Sequence, residues 1–254
     1  MGMWMLYAFL VVLLLPTAAV IAICASRVRF SRSIVARTVP AQSSPDRSRR
    51  TIVVAGDSTA FGVGALPEHS TAGRLAAAFP HARVINVAKS GARVGLVVGQ
   101  LARVTSDLAR HRCRKVDFLL IHACANDVIE FRDAETFEVD LRAAIAMARQ
   151  LSDNVVLMPG QNFGVSPFFL RILSPIVSRH AKRLHAVVKR VTAEQGVTFV
   201  DLFREPGEDP FVKEPHRYYC ADGLHPSGEG YGLWFTALLG AVPLKTLLSP
   251  GRYR

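Results

Sequence analysis

Thr51-Ile52-Val53-Val54-Ala55-Gly56-Asp57-Ser58-Thr59 reads as a short buried strand that ends in a glycine turn carrying a serine. An unbroken run of apolar and β-branched residues, closed by turn formers, is what a parallel strand covered on both faces looks like. The pattern recurs at residues 83–87, 116–121, 155–158 and 198–200. Helical periodicity fills the intervals at residues 72–79, 96–110, 134–151, 177–194 and 229–239. Strands alternating with helices predict an α/β fold, a three-layer α/β/α sandwich around a central, mainly parallel five-stranded sheet. Ser58, Gly91 and Asn126 then all fall just beyond the carboxyl ends of strands, where open α/β sheets bind ligands.

The residues at those strand ends carry the chemistry. A serine hydroxyl is a weak nucleophile until an imidazole takes its proton, and the imidazole works best when a carboxylate fixes its tautomer. Ser58 supplies the hydroxyl, and Asp222-Gly223-Leu224-His225 supplies a base and its orienting acid within one turn of backbone. Acyl transfer also needs donors aimed at the oxyanion. The N–H of Ser58, a glycine amide at Gly91 and the side-chain amide of Asn126 make three. Each residue has an ordinary reading too: Asp57 and Ser58 as turn formers, Gly91 as a turn glycine, Asn126-Asp127 as a strand end, Asp222 as the opening of a turn, Ser227 as a helix cap. Four such coincidences in this order are the weaker explanation.

The order Gly-Asp-Ser, then Gly, then Asn-Asp, then Asp-x-x-His resembles the SGNH or GDSL hydrolase family over residues 51–234, with the four signature residues at Ser58, Gly91, Asn126 and His225. The resemblance implies Ser58 as nucleophile, His225 as base, Asp222 as its partner, and Gly91 and Asn126 as oxyanion donors. One departure stands out. The family pattern Gly-x-Asn-Asp is here Cys124-Ala125-Asn126-Asp127, so the backbone must make that turn without a glycine's freedom.

Rival motifs fail on spacing. Gly62-Val63-Gly64 lacks the remaining elements of a dinucleotide or phosphate loop, and Ser58 is not in a Gly-x-Ser-x-Gly elbow. His180 and His185, five residues apart, do not make a zinc site and read as surface residues of a basic helix. Neither a cofactor nor a metal is expected. The segment 160–175, with Phe163, Phe168, Phe169, Leu170 and Ile172, reads as an acyl-pocket lining, a lipid-facing loop or ordinary packing. Residues 203–220 read as an irregular surface loop before the Asp-x-x-His pair, with a lid as the alternative.

Residues 3–24 contain no charged side chain. Twenty-two residues at about 1.5 Å each reach about 33 Å, enough to cross a hydrocarbon core of about 30 Å. They are read as one N-terminal transmembrane helix, retained as a single-pass membrane anchor, because no basic residue precedes them as in a cleaved signal. Residues 25–50, rich in Arg, Ser and Pro, read as a linker, and residues 51–254 as the hydrolase domain. Arg27, Arg29, Arg32 and Arg37 follow the apolar segment, which predicts a cytoplasmic domain; the odd count of Cys113, Cys124 and Cys220 agrees with a reducing compartment, while relatives of this kind are often exported.

The net charge is +11, an excess that suits contact with an anionic lipid surface next to the anchor. Its basic residues are dispersed and without an aromatic-interleaved module, so nucleic acid is not expected. The sequence therefore predicts a membrane-anchored serine hydrolase that cleaves carboxylic esters through an acyl-serine intermediate, and it leaves simple esters, lysophospholipids and other amphiphilic esters, acyl thioesters and acetylated sugars open as substrates. An O-acyltransferase acting on a sugar or lipid hydroxyl, and a non-catalytic membrane-tethered binding domain, are the rivals.

Overall fold

In the computed structural model, residues 3–45, 48, 50–110 and 115–249 are described, with the backbone alone for residues 3–16, 109 and 110. Cys113 lies outside them. Strand β1 (Arg50–Gly56) sits inside a five-stranded sheet with β2 (Ala82–Asn86), β3 (Phe118–His122), β4 (Val155–Leu157) and β5 (Thr198–Phe199), in the order β2-β1-β3-β4-β5. Every pairing is parallel, with Val53 opposite Ile85 on one side and Leu119 on the other.

The unbroken apolar runs follow from burial on both faces. Val53, Ala55, Leu119 and Ile121 point into one core, with Leu101 of α4 (Val97–Arg110), Leu141 of α6 (Ala134–Leu151) and Leu184 of α7 (Ser174–Glu194). Ile52, Val54, Phe118 and Leu120 point into the other, with Leu75 of α3 (Thr71–Ala78) and Trp234 of α10 (Gly228–Ala241). Alternate side chains thus serve opposite layers, the period of two characteristic of a strand with both faces apolar. The sheet order reverses direction between β1 and β3, and the crevice beyond their carboxyl ends is the usual ligand site of such a sheet.

The backbone at those ends is specialised. Gly56 ends β1 so close to β3 that a Cβ there would lie 1.9 Å from the carbonyl oxygen of His122. After β3, Cys124 adopts φ +94° as it leads into α5 (Ala125–Ile129), so the turn where the family pattern has glycine keeps the glycine conformation with a cysteine in it.

Three sequence expectations change. The segment read as a linker is helical as far as Arg37, because α1 runs as one helix over Met3–Arg37, and beyond it Ser43 pairs with Val84 at the edge of β2. Its Ser31 is buried against the domain, so residues 25–50 do not form a free tether. Residues 203–220 are not a simple surface loop: they contain α8 (Pro210–Lys213) and α9 (Pro215–Tyr218), and Phe211, Tyr218 and Tyr219 are buried beside Trp234. His180 and His185 are half-buried instead of surface residues, His180 stacked on Phe131 and His185 packed against Phe203.

Among the described residues no helix is long and apolar enough to cross a membrane. The expected span, residues 3–24, rests largely on residues 3–16, whose side chains lie outside the described ones. The part that is described leaves Val20, Ile21 and Ile23 exposed, at 44%, 63% and 46%.

Cys124 generates a stability prediction. A non-glycine residue at this φ costs on the order of 1–3 kcal/mol, and both alanine and cysteine bear it while glycine does not. Cys124→Gly will therefore be more stable than Cys124→Ala by about 1 kcal/mol in urea unfolding, reversing the ordinary preference for alanine. An alanine variant as stable as the glycine variant refutes a strained turn.

Candidate active site

Ser58 begins the single-turn helix α2 (Ser58–Phe61), directly after β1. Asp57 caps that turn: its Oδ1 accepts from Thr59 N at 2.8 Å and Thr59 Oγ1 at 2.7 Å, while Oδ2 accepts from Ala125 N at 3.1 Å. One buried carboxylate therefore ties the serine turn to the start of α5, which carries Asn126. The peptide of Gly56 is clamped by the buried Gln100, whose side-chain amide donates to Gly56 O and accepts from Gly56 N, both at 2.8 Å.

The Asp-x-x-His pair comes from the turn between α9 and α10. Cys220 N donates to His225 O at 2.8 Å and Gly223 takes φ +68°, closing a tight loop. Within it Asp222 Oδ1 accepts from Leu224 N at 2.8 Å and His225 N at 3.0 Å, and Oδ2 lies 2.7 Å from His225 Nδ1. His225 Nε2 lies 2.9 Å from Ser58 Oγ, although the two residues are 167 positions apart. Ser227 caps α10 through Gly230 N at 3.2 Å, so its ordinary reading as a helix cap holds as well, beside the contact His225 makes with Ser58.

Electrostatics distinguish the carboxylates. Burial would raise the pKa of Asp222, but hydrogen bonding and charge from His225, with the N–H groups of His225 and Leu224, together outweigh it and hold the group well below the usual carboxylate range. Asp57 goes up through burial despite its hydrogen bonds. Asp127, also fully buried, is pushed up to about 6, chiefly by burial; its Oδ2 accepts from Val94 N at 2.9 Å and its Oδ1 has no partner among the described residues. His122 is pushed down to about 3 by burial and packs edge-on against Trp234.

Around Ser58 opens a cleft of about 140 Å³ that also exposes Gly91, Asn126 and His225. Gly91 has φ +80° with open space where a Cβ would project. Asn126 is oriented by its Nδ2 donating to Ala92 O at 3.0 Å. The backbone N–H groups of Ser58 and Gly91 have no acceptor among the described residues, and both residues line the cleft together with Asn126. Phe163 lines the cleft, while Ile172, from the same aromatic-rich segment, points to solvent at 82% exposure. Ser31, Arg32 and Val35 of α1 complete the wall. Among the described residues no group of three or more His, Cys, Asp or Glu is placed to hold a metal ion.

The family model of the GDSL-like lipase/acylhydrolase family matches residues 54–233. The chain belongs to that family. Solved structures share the fold of this GDSL-type, ester-hydrolysing enzyme. TesA is similar at 21% identity and a TM-score of 0.58, over 78% of this chain and 99% of its own. A lipase/acylhydrolase from Enterococcus faecalis is similar at 23% identity and 0.55, over 81% and 100%. A catalytic mutant of Axe2, an acetylxylan esterase from Geobacillus stearothermophilus, is similar at 21% and 0.54, over 82% and 98%. No curated protein sequence matches the chain.

Sequence reasoning gives Asp57 only as a turn former and Asp127 only as part of a strand end, and it does not single out Gln100 or Ser31. The first three are buried polar residues whose partners are backbone groups far along the chain. The Asn126-Asp127 pair was visible, and only the role of its second member was not.

Asp127 gives a pH prediction. An acid whose folded pKa lies above its unfolded value keeps its proton in the folded state while the unfolded chain loses it, so its contribution to stability falls as pH rises from about 4 to about 6 and stays lost above. Asp127→Asn, which keeps the acceptor for Val94 N, removes this loss. Its stability relative to wild type, from urea unfolding, will rise by up to about 3 kcal/mol between about pH 4 and 7. A difference that does not vary with pH refutes the raised pKa.

Proposed function

We propose that this GDSL-type hydrolase is a membrane-anchored carboxylic-ester hydrolase working through an acyl-serine intermediate, with amphiphilic esters as its substrates. The observation that carries the chemistry is the unbroken contact chain from Ser58 Oγ through His225 to Asp222, at 2.9 and 2.7 Å, beside two unpaired backbone donors. Ser58 Oγ attacks the ester carbonyl carbon as its proton passes to His225 Nε2. The electron pair of the carbonyl π bond moves to oxygen, which takes hydrogen bonds from the N–H groups of Ser58 and Gly91 and from Asn126 Nδ2. When the carbonyl reforms, the alcohol departs with the proton held by His225. Water then attacks the acyl-serine with His225 as base, and the acid leaves.

The reading of the substrate rests on position. α1 is one continuous helix, and the seven steps from Cys24 to Ser31 at about 1.5 Å each span roughly 10 Å. The headgroup region of a bilayer adds about 5–8 Å beyond each side of the hydrocarbon core. If residues 3–24 span, Asp222, which touches Ser31, lies just above the headgroups. The exposed Val20, Ile21 and Ile23 support burial of this stretch in lipid. By the charge of Arg27, Arg29, Arg32 and Arg37 we place the domain on the cytoplasmic face; protease protection in intact spheroplasts tests this, and digestion from outside overturns it.

Two outcomes test the chemistry. Ser58→Ala will lower turnover of a short p-nitrophenyl ester by about four orders of magnitude or more while the protein still folds. Asn126→Ala will lower kcat by about a hundred-fold with a smaller change in KM. A folded Ser58→Ala protein with full activity ends the acyl-serine reading; wild-type kcat in Asn126→Ala removes the amide from the oxyanion site.

The membrane reading has its own test. A chain beginning at Ala25 keeps Ser31 and should match the full chain on soluble short esters. On amphiphilic esters in anionic vesicles the full chain should be faster by about ten-fold, with added salt narrowing the part due to basic residues. Equal rates on vesicles refute the link between anchor and substrate, and product analysis with added alcohols or sugars separates hydrolysis from acyl transfer.

A further inference from the structure

The last turns of α1 touch the catalytic centre at two levels. Ser31, 191 positions from Asp222 and buried, donates its Oγ–H to Asp222 Oδ2 at 2.9 Å. That is the same oxygen that faces His225 Nδ1 at 2.7 Å. One turn earlier, Arg27 Nη1 donates to Pro167 O at 3.0 Å and to Phe168 O. Phe168 N in turn donates to Gly223 O at 3.1 Å, and Ser166 Oγ donates to the same carbonyl. The helix therefore holds the Asp222–His225 turn directly through its carboxylate and indirectly through the backbone beside it.

The donors divide unequally over the carboxylate. Oδ1 takes Leu224 N, His225 N and Cys220 Sγ, all from its own turn. Among the described residues Oδ2 has only His225 and Ser31. A carboxylate is rigid and planar, so the three local donors on Oδ1 set its plane, and Ser31 adds a hold from outside the turn on the oxygen that faces His225. A hydrogen bond to a charged oxygen in a buried setting is among the stronger ones. Ser31 is the only group outside the Asp222–His225 turn, among the described residues, that holds Oδ2.

We propose that Ser31 is a positioning residue of this hydrolase: its hydroxyl fixes the Asp222 carboxylate against His225, which makes the end of α1 a working part of the active site. This inference rests on the acyl-serine reading above. Because Ser31 acts through Asp222, its removal lowers the rate of the chemical step and leaves substrate binding largely intact. A residue that merely docked the helix would disturb Arg32 and Val35, which line the cleft, and so would change KM.

The test uses the full chain and a short soluble ester. Ser31→Ala will lower kcat about ten-fold, the scale of one charge-assisted hydrogen bond, with KM changed by less than about two-fold. In an Asp222→Asn background the same substitution will change kcat by less than about two-fold, because the carboxylate it acts on is gone. Thermal melting of each variant establishes that it is folded. Wild-type kcat in Ser31→Ala, the same ten-fold loss in both backgrounds, or a rise in KM without loss of kcat overturns the proposal. Ser58→Ala run alongside separates this from failure of the acyl-serine reading, which full activity in that variant alone would show.

Discussion

The site depends first on the buried carboxylate of Asp57. Its two oxygens reach in opposite directions, one into the serine turn at Thr59 and one to Ala125 at the start of the Asn126 turn. The ends of β1 and β3, adjacent strands in register from Ile52–Phe118 to Gly56–His122, are thereby joined above the last sheet hydrogen bonds. Without such a tie, two short turns at the edge of the core would move independently, and the distance from a nucleophile to its oxyanion donors tolerates little movement. Gly56 makes the tie geometrically available, since any side chain there would meet the His122 carbonyl.

Much of the architecture is legible in the sequence for a plain reason. Parallel strands buried on both faces are mostly apolar, so Thr51 to Ala55 and Phe118 to Ile121 stand out against the amphipathic helices between them, and the observed strands fall within a residue or two of the expected ones. The candidate residues are legible because each sits at the end of such a strand or in a short motif. The docked part of α1 is not. Its inward face is Ser31, Ile34 and Val35, one turn of the helical repeat with a polar residue at the contact, set among arginines that read as linker. Cys124 shows another limit: the departure from glycine is plain in sequence, whereas only the backbone angle shows that the turn is kept with a cysteine in it.

Continuity of α1 changes how the N-terminal region is to be understood. A flexible tether would make residues before the sheet dispensable for chemistry and would leave the enzyme free to orient in any direction. Here the helix reaches the Asp222 carboxylate and lines the cleft, and Ser43 adds an edge contact to β2. A cut near residue 50 therefore removes part of the site along with the apolar segment. Loss of activity after such a cut says nothing by itself about the membrane.

Three buried carboxylates surround the same crevice, and the environment of each decides its charge. Burial alone pushes all three toward the neutral acid. Among the described residues Asp127 has a single backbone donor on one oxygen and none on the other, and it follows burial upward. Asp57 has three donors, yet it is wholly enclosed, and it too rises. Asp222 has two backbone donors, a thiol, a hydroxyl and an imidazole, and it alone stays far below its usual range. Of the three, Asp222 is thus the carboxylate that keeps its charge most readily, and it is the one in contact with the His225 imidazole. Among the described residues the carboxylates of Asp57 and Asp127 hydrogen-bond to no imidazole, and their oxygens accept instead from the backbone N–H groups of Thr59, Ala125 and Val94.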